Sequence, residues 1–127
     1  MPKVSPNFDQ SELECKCGCG FYNLDSHILE ILERIRAKYG DVTLINSACR
    51  CPKHNKAVGG GPEHPEGKAV DIQCTSDRLR HIILQTAYEM NVPRIGIGDG
   101  FIHLGIATDL PQIVTWTYYP AKKGVDK

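Results

Sequence analysis

Three side chains in this sequence have the types and the setting to hold a transition metal. In Glu63-His64-Pro65-Glu66-Gly67-Lys68-Ala69-Val70-Asp71, a histidine precedes an aspartate across a glycine turn that leads into an apolar run. The imidazole therefore sits on a loop and the carboxylate on an ordered element, so the two can converge from different backbone directions. Zinc accepts imidazole nitrogen and carboxylate oxygen, and a catalytic zinc keeps a fourth position open for water. A third ligand must come from elsewhere in the chain. His103, flanked by Phe101, Ile102 and Leu104, is a histidine inside an apolar strand pattern. Taken alone, it reads as a satisfied core or surface histidine.

The elements that must position these residues follow from periodicity. Leu24, Ile28, Ile31, Leu32 and Ile35 share one helical face, with Glu30, Glu33, Arg34 and Lys38 on the other; Asn23 or Asp25 caps the start and Gly40 the end. Val42 to Ile45 reads as a short strand. A polar stretch, Asn46 to Lys68, follows, with a short helix from Pro52 that the run Gly59-Gly60-Gly61-Pro62 cannot continue. Ala69 to Ile72 is a second strand. Ser76 or Asp77 caps a second main helix carrying Leu79, Ile82, Ile83, Ala87 and Met90 on one face. Three further strands are expected at Arg94 to Ile97, Phe101 to Ala107 and Ile113 to Tyr118. The class is α+β, two main helices packed against a small, largely antiparallel sheet. A single domain is expected over 1–127, with a polar, turn-rich, cysteine-rich lead-in at 1–23 and a loose charged tail at 121–127.

Lys+Arg and Asp+Glu both total 15, so the formal net charge is zero and nothing drives phosphate binding; nucleic acid is not an expected partner. No apolar stretch is long enough for a signal peptide core or a membrane span, so a chain made in the cytoplasm without an export signal of its own is expected. Six cysteines in such a chain point to reduced thiols or metal rather than a disulfide framework. Cys15, Cys17 and Cys19 lack the Cys-x-x-Cys spacing of a zinc ribbon. With Cys49, Cys51 or Cys74 they remain candidates for a second, structural zinc site, beside the alternatives of buried thiols and disulfides. His27 and His81 read as structural or solvent-facing helix residues, His54 as helix surface ahead of a place near the substrate, and Trp116, Tyr118 and Tyr119 as core or rim ahead of lining a groove.

Taken together, Ile45-Asn46-Ser47-Ala48-Cys49-Arg50-Cys51-Pro52-Lys53-His54-Asn55, Val58-Gly59-Gly60, His64 to Asp71 and Phe101-Ile102-His103 resemble a family. The likeness is to the zinc D-alanyl-D-alanine carboxypeptidases and the L-alanyl-D-glutamate endopeptidases of phage endolysins, whose fold the hedgehog signalling domain shares. It runs in order from about Ser11 to Trp116. The resemblance implies that His64, Asp71 and His103 ligate one zinc. It also implies that Ser47 and Arg50 face the substrate, Arg50 stabilising an oxyanion or holding a substrate carboxylate through its planar fork. Expected substrates are peptidoglycan peptides, met by a monomer that acts on the cell wall after phage-type release.

The pattern departs from the family in its carboxylate. Members carry an acid three residues before the last histidine, or an aspartate two residues after it; here those positions are Gly100 and Gly105. Asp99 is then the nearest candidate for general base, against a reading as a turn aspartate. Glu63 and Glu66 read as solvated loop charges. The missing acid keeps a second class open, a catalytically silent zinc domain that binds wall peptide or a protein partner.

Overall fold

Fourteen consecutive helical residues, α2 (Ser26–Tyr39), form where the apolar spacing predicts them, and the structure, a computed structural model, shows what starts and stops them. The Asp25 carboxylate accepts the His27 N–H, and Gly40 ends the helix in the left-handed region at φ 77°. The structure describes residues 3–118; the expected tail at 121–127 and Tyr119 lie outside the described residues. Before α2 come β1 (Lys3–Ser5), β2 (Phe8–Asp9) and α1 (Gln10–Leu13), so the lead-in carries more regular structure than its composition suggests. After α2 come β3 (Ile45–Ser47), α3 (Pro52–Ala57), a single 3-10 turn at His64–Glu66, β4 (Ala69–Gln73), α4 (Asp77–Glu89), β5 (Arg94–Ile97), β6 (Phe101–Gly105) and β7 (Val114–Thr117).

The architecture is α+β. Five strands form one mixed sheet in the order β3-β4-β6-β5-β7, and β1 and β2 pair separately. The β3–β4, β4–β6 and β5–β6 pairs are antiparallel, while β7 runs parallel to β5 at the edge. The expected first strand is displaced. Val42 and Leu44 are exposed, and pairing with β4 begins at Ile45↔Ile72. Only Gln73 of β4 lies beyond that pair, and its N–H takes the Leu44 carbonyl, so earlier residues leave the ladder.

Strand alternation divides the sheet into two faces. Val70 and Ile72 of β4, Ile102 and Leu104 of β6 and Ile95 of β5 join one buried cluster with Ile28, Ile31, Leu32 and Ile35 of α2 and Leu79, Ile82, Ile83 and Ala87 of α4. Each such valine, leucine or isoleucine contributes about 1.5–3 kcal/mol by leaving water. The residues between them, Asp71, His103, Gly96 and Arg94, belong to the opposite face. Register then sets them in rows. Ser47 pairs with Asp71, Asp71 with His103, His103 with Gly96, and Gly96 with Trp116. The next row is Ala69, Gly105, Arg94 and Val114.

Candidate metal centre

The first row brings Asp71 and His103 side by side on adjacent strands, and the 3-10 turn delivers His64 to them. That turn is tied to the start of α2: Asn23 Nδ2 donates to the Pro65 carbonyl (2.8 Å) and the Asp25 N–H to the Gly67 carbonyl (2.9 Å). One ligand atom from each of His64, Asp71 and His103 lies within 4.8 Å of the others, and both histidines are buried. The imidazoles meet edge to face, with centroids 5.3 Å apart.

The hydrogen bonds decide which nitrogen is free. His64 Nδ1 lies 2.7 Å from the Ala48 carbonyl oxygen, which can only accept, so Nδ1 is the donor there and Nε2 is the nitrogen left for the site. Nε2 lies 3.4 Å from Asp71 Oδ2. His103 Nδ1 lies 2.8 Å from Asp71 Oδ1, and its Nε2 lies 2.9 Å from Glu63 Oε1. Glu63 thus stands behind His103 as the outer carboxylate that orients many metal-ligating histidines. Two imidazoles and one carboxylate with a carboxylate-backed histidine fit a zinc ion.

The charges alternate through this network. Burial disfavours a charged Asp71, but His103 and His64 outweigh it and hold the carboxyl well below the usual range. Burial likewise pulls His103 down, yet Asp71 and Glu63 prevail and push it up to about 9 in the metal-free chain. Glu63 is held below its ordinary value against burial by His103 and Arg94, whose Nε lies 3.1 Å from Glu63 Oε2.

The centre opens into a cavity of about 250 Å³. Arg50 lines it, with Nη2 donating to Ser47 Oγ and Nη1 to Asn55 Oδ1, both at 2.9 Å, and Nη2 standing 3.7 Å from Asp71 Oδ2. Ser47 does not line the cavity; its hydroxyl positions Arg50. Trp116 and Tyr118 do line it, where the sequence suggested core or rim. Gly96 makes room for them, since a Cβ there would come within 2.7 Å of both rings. The Arg94 guanidinium stacks over Trp116 at 5.0 Å.

Asp99 is exposed in the β5–β6 turn and is not among the cavity-lining residues, a placement that fits a turn aspartate. Glu63, expected as a solvated loop charge, is instead 4% exposed and lines the cavity. The correction has a physical cause: Arg94 and His103 supply the partners that let a carboxylate be buried. Sequence reasoning missed Glu63, Arg94 and Asn55. The signal for Glu63 was an acid beside the first ligand in a chain whose other expected acid positions are glycines.

None of the curated proteins matches the sequence. Residues 6–105, from the lead-in through β6 and including all three candidate ligands, match the model of peptidase M15, whose members are zinc metallopeptidases. With most of its length matched, the chain belongs to the peptidase M15 family.

Proposed function

We propose that the chain is a zinc-dependent peptidase that hydrolyses D-amino-acid-containing bonds of peptidoglycan stem peptides, as a carboxypeptidase or endopeptidase, on a hedgehog-type fold. The observation that carries this reading is the cavity in which His64, Asp71 and His103 converge beside an anchored Arg50. His64 Nε2, an Asp71 carboxylate oxygen and His103 Nδ1 would hold the ion. Zinc in such a setting polarises a scissile carbonyl and lowers the pKa of water toward neutrality.

The chain's own residues do the rest. Arg50, held at two nitrogens, meets a substrate carboxylate or a developing oxyanion without having to reorganise. Trp116 and Tyr118 offer an apolar wall to a peptide backbone and its small side chains. Glu63 keeps the proton of His103 on Nε2 and so leaves Nδ1 for the metal. The protein acts as a monomer on wall peptides after phage-type release, with no nucleic-acid partner. No described helix is long and apolar enough to cross a membrane.

A second reading, a silent zinc domain that binds wall peptide or a protein partner, is favoured by one observation. The carboxylates lining the cavity are Asp71 and Glu63, and both are engaged by histidine. The deciding experiment incubates the zinc-loaded chain with purified peptidoglycan, muropeptides and D-Ala-D-Ala and identifies products by mass spectrometry. Release of D-alanine or of cut stem peptides supports the peptidase. Binding without any product from a chain shown to hold zinc replaces it with the silent domain.

A further inference from the structure

The lead-in cysteines form a second constellation, remote in chemistry from the first. Cys15, Cys17, Cys19 and Cys51 place their sulfurs within 4.8 Å of one another. Cys15 Sγ lies 3.4 Å from Cys17 Sγ, and Cys17 Sγ lies 3.8 Å from Cys51 Sγ. A disulfide needs about 2.05 Å. A zinc ion with bonds of about 2.3 Å to four tetrahedral sulfurs spaces them by roughly 3.8 Å. The observed spacing is that of ligands around an ion.

The backbone builds this convergence. In an extended strand, cysteines at alternate positions would share a face but stand roughly 6.6 Å apart. Here Gly18 and Gly20 take φ of 90° and 81°, and the Cys15 N–H bonds the Phe21 carbonyl at 2.8 Å, closing the segment into a tight loop. Two sulfurs also accept backbone N–H groups, Cys15 Sγ from Cys51 (3.3 Å) and Cys51 Sγ from His54 (3.4 Å). Such donors stabilise thiolate rather than thiol.

We propose that Cys15, Cys17, Cys19 and Cys51 bind a structural zinc ion that staples the lead-in to the N-terminus of α3, one residue from Arg50. The fourth ligand comes from the substrate-facing segment itself, since Cys51 caps α3 and follows Arg50. The bare cluster shows why a cation belongs there. Sulfurs this close cannot share negative charge until a divalent cation neutralises it. Cys49 and Cys74 stand outside the group; Cys49 Sγ accepts the Asn23 N–H and Cys74 donates to the Ser76 carbonyl.

The test measures metal in the full chain, purified reduced, saturated with zinc and desalted. About two zinc ions per chain are expected, falling to about one in His64→Ala and about one in Cys17→Ser/Cys19→Ser. His64→Ala reloaded with cobalt(II) should show the near-ultraviolet charge-transfer absorption of tetrahedral thiolate coordination, a readout that needs no cysteine variant to fold. The proposal is overturned if His64→Ala holds no metal, if its cobalt form lacks the sulfur band, or if the intact mass shows a disulfide. Only one zinc in the parent chain, with the sulfur band present in its cobalt form, would instead count against the His64, Asp71 and His103 centre.

Discussion

Glu63 fills the space that a side chain on Gly105 would need. A Cβ at Gly105 would lie 2.1 Å from Glu63 Oε2 and 2.6 Å from its Cδ, while Glu63 Oε1 holds His103 Nε2 at 2.9 Å. Gly105 is also one of the two positions at which the resemblance leads one to expect an acid. A carboxylate from the turn that carries His64 thus occupies the space beside Gly105 and holds His103.

This relationship predicts a reciprocal exchange. Glu63→Ala should weaken zinc binding about 10- to 100-fold in chelator competition, because His103 loses its orienting acceptor. Gly105→Asp alone should destabilise the fold by about 1–3 kcal/mol through overpacking against Glu63. The double variant Glu63→Ala/Gly105→Asp should recover part of both losses. Independent, additive losses would show that the two positions do not share one carboxylate site.

Arg50 is expected to matter for turnover and not for metal. Arg50→Lys cannot reproduce the paired contacts to Ser47 and Asn55. Its kcat/KM on muropeptides should drop about 10²- to 10³-fold, with zinc content unchanged by elemental analysis. Full activity in Arg50→Lys would remove the arginine from substrate recognition.

Asp99→Asn should leave activity within about twofold and zinc content unaltered, since the residue is exposed in a turn and does not line the cavity. A loss of about 100-fold or more would restore it as general base.

The metal-free chain should lose stability on the alkaline side. His103 is raised from 6.5 to about 9 in the fold, so its contribution is complete below about 6.5 and disappears as pH rises through 9. That interval corresponds to on the order of 3 kcal/mol. Asp71 and Glu63 are lowered, so their contributions are present above about 4 and are lost as acid titrates them in the fold. Denaturant unfolding of the chelated protein should therefore show greatest stability between about pH 5 and 6.5. Zinc competes with the His103 proton, so its affinity should climb over the window in which the metal-free fold weakens. A flat profile from pH 6 to 9 would dissociate His103 from the carboxylate network.

The local elements were legible in the chain because their causes are local. Helical spacing from Ile28 to Ile35, the caps Asp25, Gly40 and Ser76, and the alternation of Arg94 to Ile97 and Phe101 to Gly105 depend on near neighbours alone. The same holds for His64 and Asp71, whose spacing across a glycine turn is itself chemical information. Tertiary structure decided what those signals cannot contain. The row Ser47, Asp71, His103, Gly96 and Trp116 exists only through strand register, and the parallel pairing of β7 with β5 sets Trp116 beside the centre. The four cysteine sulfurs converge only because two left-handed glycines fold the lead-in toward Cys51. Glu63 is buried because strands far along the chain bring it an arginine, a histidine and the space above a glycine. A residue's type states which partners it requires; only the packed chain determines whether they arrive.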